Sequence, residues 1–123
     1  MQKLSVIIPV GNEIHNIKDV INSVKFADEI IVVDSYSNDG TYEEIKKMNV
    51  KVLRRKYEYS ASQKNWAIPQ AKFDWILLVD ADERVSLKLK NEIQEKLKLT
   101  KNQNSGYWIG RENYFMGKKV NFS

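Results

Sequence analysis

Cysteine is absent from the chain, and histidine occurs once, at His15. Disulfides and thiolate metal sites are therefore excluded, which fits a reducing, cytoplasmic setting. Glycine and proline are scarce, with 5 and 2 residues among 123. The first strand-to-helix turn holds a single glycine, Gly11, so the dinucleotide-binding G-x-G-x-x-G is missing; no G-K-[ST] marks a P-loop. No apolar run reaches the roughly eighteen residues of a membrane span. A strand begins by Leu4, which leaves no room ahead of it for a signal peptide. Acidic residues are lacking directly after that strand, where Pro9 and Val10 stand, and this argues against a receiver-type signalling domain. Basic residues outnumber acidic ones only 20 to 16, a net +4, and no basic run is interleaved with aromatics. Such a charge favours solubility and attraction to phosphates or anionic surfaces. It does not suit a nucleic-acid reader.

What is present is enough for one domain with a real core: 42% hydrophobic and 29% charged residues over 123 positions. The stretch from Trp75 to Glu83 organises it. Trp75 to Val79 is continuously apolar, which predicts a strand buried on both faces. It ends in Asp80, Ala81 and Asp82. A buried strand cannot absorb two unpaired carboxylates, so they belong at its exposed carboxyl end, where open α/β sheets bind ligands. Two carboxylates at this spacing suit Mg²⁺ or Mn²⁺ carrying phosphate oxygens. A polar loop with Asp82 or Glu83 near the next helix start is the plainer reading of the same residues.

The rest of the chain alternates. Leu4 to Pro9 is a first strand closed by Pro9, followed by a turn and a helix with Asn12 at its N-cap and Ile14, Ile17, Ile21 and Val24 at helical spacing. Glu29 to Val33 is a second strand ending in Asp34. Thr41 to Glu44 and Ser60 to Gln63 both read as capping boxes opening helices, the second ended or kinked by Pro69. Val50 to Leu53 is a short third strand between them. Ser86 caps a helix with an apolar stripe at Leu89, Ile93 and Leu97 among solvated lysines. Lys101 to Ser105 is a polar loop, Tyr107 to Phe115 a last strand, and Met116 to Lys118 a turn. Strand–helix alternation predicts an α/β, Rossmann-like, mostly parallel sheet with helices on both faces. The ends of the strands closing at Pro9, Asp34 and Asp80 then meet near the switch point. His15 is expected on the surface, and Trp66 and Trp75 in the core.

Leu4–Glu13, Ile31–Thr41, Gln63-Lys-Asn65 and Leu78–Glu83 together resemble the nucleotide-sugar half of family 2 glycosyltransferases. Ala27–Ile30, the Gln-Lys-Asn triplet and Arg111–Lys118 resemble the bacterial lipopolysaccharide-core and related polysaccharide branch in particular. The resemblance runs over nearly the whole chain. It implies a GT-A fold, a nucleoside-diphosphate (UDP) sugar donor, a divalent metal, Mg²⁺ or Mn²⁺, and inverting transfer to a saccharide or lipid-linked acceptor in cell-envelope polysaccharide synthesis. It implies that Pro9, Val10, Gly11, Asn12, Glu13 and Ser35 line the nucleotide and that Asp34 accepts a hydrogen bond from the base. Lys64 would approach the diphosphate. Asp80 with Ala81 would lie near ribose and metal, and Asp82 would hold the metal. Trp108 and Tyr114 would lie towards the acceptor. Lipid-linked acceptors imply cytoplasmic placement with peripheral contact at the inner membrane.

The family's general base lies well beyond the Asp-x-Asp. The acidic residue available late in this chain, Glu112, is expected inside the last strand. Residues 1–123 therefore read as the donor-binding half, C-terminally truncated, with no catalytic residue assigned. The expected consequence is donor binding without efficient transfer, and an exposed edge at Tyr107–Phe115 and Val120–Phe122 open to a homodimer. A non-catalytic nucleotide-binding module is the alternative, and a pure interaction domain a third.

Overall fold

A computed structural model of the chain describes residues 1–99 and 106–119. The loop expected at Lys101–Ser105 and the apolar edge expected at Val120–Phe122 lie outside the described residues.

Six strands form one sheet: β1 (Leu4–Val10), β2 (Glu29–Asp34), β3 (Lys51–Arg54), β4 (Trp75–Leu78), β5 (Gly106–Ile109) and β6 (Tyr114–Lys118). Their spatial order is β3-β2-β1-β4-β6-β5. The first four pair in parallel, and β6 joins β4 and β5 antiparallel. From β1 the chain steps outward to β2 and β3, then returns to lay β4 on the other side of β1. That reversal is the switch point, and it places the carboxyl ends of β2, β1 and β4 side by side.

Alternation along the strands explains why both faces are covered. Leu4, Val6, Ile8 and Val10 of β1, Val32 of β2, and Trp75 and Leu77 of β4 point to one side, onto α1 (Ile17–Ser23), α2 (Thr41–Lys46) and α4 (Leu87–Leu99). Ile7, Ile31, Val33 and Ile76 point to the other, onto α3 (Ser60–Ala67) and the 3₁₀ turn Ile68–Gln70. A strand apolar at every position is the signature of burial on both faces. Trp75 is 1% exposed and stacks on Tyr107 at 6.0 Å. Trp66 is half-buried against the smaller cluster, and His15 is exposed. Among the described residues no helix is long and apolar enough to cross a membrane.

Several local expectations are corrected. β1 continues through Pro9 to Val10, and α1 begins at Ile17 with Asn16, not Asn12, at its N-cap. Asn12 instead takes a left-handed turn conformation (φ 53°), and Ile14 precedes the helix. Neither capping box forms: the N-caps are Gly40 and Tyr59, and Thr41 and Ser60 are already the first helical residues. Ser86 does cap α4, its Oγ accepting from Leu89 N–H at 3.1 Å. The final strand is two strands. Gly110, Arg111 and Glu112 all have positive φ and turn the chain between β5 and β6, so Glu112 lies in a turn and Met116–Lys118 lie in a strand.

Candidate functional site

The loops after β1 and β2 are stitched together by short polar side chains. Ser35 donates from both its backbone N–H and its Oγ to Val10 O, each at 3.0 Å. Asn12 N–H donates to Ser37 Oγ at 2.8 Å, and Asn12 Oδ1 accepts from Asn38 N–H. Glu13 N–H donates to Thr41 Oγ1, and Ile14 N–H to Asp39. Thr41 also donates to Asp39, and these bonds hold the Asp39 carboxyl below the ordinary carboxylate range. Gly11 packs closely on the second loop: a Cβ there would sit 2.6 Å from Ser35 Oγ and force that hydroxyl to move.

Asp34 anchors this seam from beneath. Its side chain is fully buried. Oδ1 accepts from Ser37 Oγ at 2.6 Å, while Oδ2 accepts from Ser37 N–H and from Arg54 Nε, both at 3.1 Å. Arg54 in turn stacks on the Tyr42 ring at 3.4 Å. The carboxylate is thus paired and hydrogen-bonded, as a buried charge must be. A ligand reaching Asp34 from this arrangement would have to displace Ser37 or Arg54.

A cavity of about 340 Å³ opens above the seam, lined by Pro9, Val10, Gly11, Ser35, Tyr57, Ser60 and Gln63. Four of these, Pro9, Val10, Gly11 and Ser35, are residues that the family resemblance implies for the nucleotide. The next residue of α3, Lys64, walls a second cavity of about 190 Å³ with Asp80, Glu83 and Tyr114. So α3 serves both, with successive side chains.

The acidic turn after β4 is held from behind. Asp80 N–H donates to Glu83 Oε1 at 2.7 Å, and Glu83 N–H donates back to Asp80 O at 3.0 Å. Arg84 bridges Ala81 O and Glu83 O to Asn16 Oδ1 at the start of α1. Ala81 is buried, so Asp80 and Asp82 project from a fixed base and are themselves exposed. Tyr114 lies against the turn. Burial, then a hydrogen bond with Glu83, then the negative charges of Glu83, Asp80 and Asp82 push its phenol up to about 12. Among the described residues, Asp80 and Asp82 accept no side-chain hydrogen bond or ion pair, and Lys64 has no carboxylate within ion-pair distance.

Two exposed carboxylates with unused oxygens fit a hard cation that shares its coordination with phosphate oxygens and water. They do not make a protein-only cage: among the described residues no three His, Cys, Asp or Glu side chains gather around one point.

Larger cavities lie elsewhere. One of about 570 Å³ is lined by Lys25, Asp28, Lys47 and neighbours, and one of about 390 Å³ by Met1, Lys3, Lys72, Phe73 and neighbours. Both hold lysines and an aspartate, Asp28 or Asp74, but lie towards the amino ends of the parallel strands, away from the switch point and the acidic turn after β4. Topology, rather than volume, selects the site. Asn12, Glu13 and Asp34 lie in the seam rather than on either cavity wall. Ser37, Asp39, Thr41, Arg54, Glu83 and Tyr114 complete the site; Thr41 reads in sequence only as a capping residue, Glu83 as part of the acidic stretch and Tyr114 as acceptor-side by resemblance, while Ser37, Asp39 and Arg54 carry no signal of their own.

The family model described as Glycosyl transferase family 2 matches residues 5–121. An uncharacterized glycosyltransferase of Rickettsia bellii is 43% identical over 94 residues, covering 76% of this chain and 32% of that protein. The lipopolysaccharide core biosynthesis glycosyltransferase LpsC of Rhizobium meliloti is 29% identical over 119 residues, covering 93% of this chain and 44% of that one. In fold, the chain superposes on glucosyl-3-phosphoglycerate synthase of Mycobacterium tuberculosis, solved with Mn²⁺, UDP and phosphoglyceric acid. The TM-score is 0.70 at 21% identity, over 85% of this chain and 42% of that one. This chain spans about a third of the length of its Rickettsia relatives.

Proposed function

This chain belongs to glycosyl transferase family 2 and has the GT-A fold, and from that premise we propose that it holds a UDP-sugar for transfer to a saccharide or lipid-linked acceptor. The observation that carries the reading is that Lys64 and Asp80 wall one cavity while the preceding residue, Gln63, walls the neighbouring one with Pro9, Val10, Gly11 and Ser35. The first cavity is assigned to the nucleoside and the second, with Lys64 and Asp80 on its wall, to the diphosphate. The relative solved with Mn²⁺ and UDP supports that choice of ligand.

The residues divide the work. Pro9 to Gly11 and Ser35 seat the nucleoside against a seam that the Asp34 network keeps rigid. Lys64 supplies a positive charge where the leaving diphosphate develops negative charge. Asp80 and Asp82 would hold Mg²⁺ or Mn²⁺. When bound, the cation supplies Lewis-acid neutralisation of the diphosphate. Glu83 braces the turn through Asp80 N–H and Tyr114, so it is a positioning residue rather than a free base. Glu112 is exposed in the β5–β6 turn and lines neither cavity, although its neighbour Asn113 walls the second. Neither Glu83 nor Glu112 is assigned as the general base, and the proposal for residues 1–123 is donor binding without efficient turnover.

Calorimetry with UDP tests the reading. Binding is expected in Mn²⁺ and should weaken at least tenfold in excess chelator, because Asp80, Asp82 and the diphosphate then repel. Asp82→Asn should weaken it by about 1.5–3 kcal/mol, the range for a charged partner. Equal affinity with and without the cation would remove the metal from the account.

A further inference from the structure

The polar side chains around the cavity of about 190 Å³ have tasks, with one exception. Lys64 answers the diphosphate's charge and Asp80 the cation's, and Glu83 is bonded to Asp80 N–H and to Tyr114. Asn113 stands on the same wall. Its side chain is exposed, and the amide makes no hydrogen bond among the described residues. The turn that delivers it is strained. Gly110, Arg111 and Glu112 have φ of 59°, 57° and 68°, a left-handed run that residues with a Cβ rarely adopt. α4 holds the turn through Glu92 Oε1, which accepts from Gly110 N–H at 3.0 Å. Asn113 N–H closes it by donating to Gly110 O at 3.3 Å. Backbone strain that its surroundings hold in place gathers at ligand sites. Beside Asn113, the Phe115 ring packs so closely over Gly106 that a Cβ there would fall 2.3 Å from it. The wall thus sets one unpaired amide next to a fixed aromatic ring, and a few polar groups on an apolar wall are what fix a ligand's orientation.

We propose that Asn113 is a specificity-determining residue whose side-chain amide hydrogen-bonds a hydroxyl of the sugar carried on the diphosphate. The proposal rests on the donor reading above and deepens it by naming the residue that reads the sugar. An amide both donates and accepts, and so does a hydroxyl. Diphosphate oxygens only accept at neutral pH, and a cation takes only lone pairs. The sugar is joined to the diphosphate assigned to this cavity, so its hydroxyls are the nearest groups that match the amide in both senses.

The test compares UDP, UDP-glucose, UDP-galactose and UDP-N-acetylglucosamine binding to the wild-type protein and to Asn113→Ala by calorimetry in Mn²⁺, with thermal melts as a check on folding. Wild type should bind one of these sugar nucleotides about three- to tenfold more tightly than the others, the scale of one hydrogen bond. Asn113→Ala should melt like wild type, bring the sugar nucleotides to within about twofold of one another, and leave UDP itself unchanged. If wild type binds the sugar nucleotides alike, or if Asn113→Ala keeps the wild-type preference, the amide does not read the sugar and the proposal is overturned. If the variant weakens UDP as much as the sugar nucleotides, the amide serves the diphosphate, and the proposal fails while the donor reading stands. Loss of folding in Asn113→Ala would show that the side chain serves the turn, which also overturns it. If folded wild type binds neither UDP nor any sugar nucleotide, the donor reading fails and the proposal falls with it.

Discussion

Asp34 shows how a single carboxylate can serve a site without facing it. Its carboxylate lies beneath the loop seam, where it accepts three hydrogen bonds, two from Ser37 and one from Arg54. Removing it strands a half-buried guanidinium and two Ser37 donors. Breaking such a buried pair from one side costs about 3–5 kcal/mol. Asp34→Ala should therefore lower the thermal midpoint sharply, while Ser37→Ala, which removes one neutral group, should cost about 1 kcal/mol. A smaller effect for Asp34 than for Ser37 would contradict the network. Tyr114 offers a spectroscopic handle on the acidic turn. Its phenol is pushed up to about 12 from an ordinary 10.0. The unfolded chain loses that proton near 10 and the folded chain near 12, so the stability linked to Tyr114 is complete below pH 10 and is lost between 10 and 12. Absorbance titration should show one late-ionising tyrosine that disappears in Tyr114→Phe.

At the scale of elements, the strand ends were legible and the turns were not. Val79 followed by Asp80 announces a buried strand meeting solvent, and Asp34 after Val33 marks a strand end too, but one whose carboxylate stays buried; both lie where the alternation places them. Thr41 and Ser60 were misread because an N-cap signature records only that a small polar residue sits near a helix start. Thr41 Oγ1 instead serves Glu13 N–H, 28 residues earlier, a partner no local pattern reveals. Tyr107 to Phe115 read as one strand because the turn inside it is made by Gly110, Arg111 and Glu112 in left-handed conformations, two of them residues that rarely adopt it. In sequence Gln63 reads as a helix-capping partner and as the first residue of the Gln63-Lys-Asn65 triplet. Its bond to Arg55 O follows from how α3 packs over Arg55, which is a tertiary fact. The seam itself makes a prediction at this scale. Gly11→Ala places a methyl 2.6 Å from Ser35 Oγ, which is itself tied to Val10 O. One bond must break, so stability should fall by about 1 kcal/mol and UDP affinity should fall with it. A variant that melts and binds like wild type would show that the two loops are not locked.

The whole molecule is a sheet whose middle strands deliver three loops to one edge. β1 carries the turn proposed to seat the nucleoside, β2 the network that stiffens it, and β4 the carboxylates; α3 crosses above and contributes Gln63 and Lys64 to adjacent cavities. The fold explains why the proposed donor site can gather here although its residues are spread from Pro9 to Asp82. It also explains why volume misleads, since the roomier cavities near Met1–Lys3 and Lys25–Asp28 lie towards the other end of the strands. Paramagnetic broadening of backbone amide signals by Mn²⁺, added together with UDP to isotopically labelled protein, tests that placement directly. Broadening should centre on Val79–Arg84, Lys64 and Tyr114, with shift changes at Val10–Asn12, Ser35 and Gln63, and it should vanish in Asp80→Asn/Asp82→Asn. Broadening centred instead on Met1–Lys3 and Lys72–Trp75, or unchanged in the double variant, would contradict a donor site at the carboxyl ends of β1 and β4.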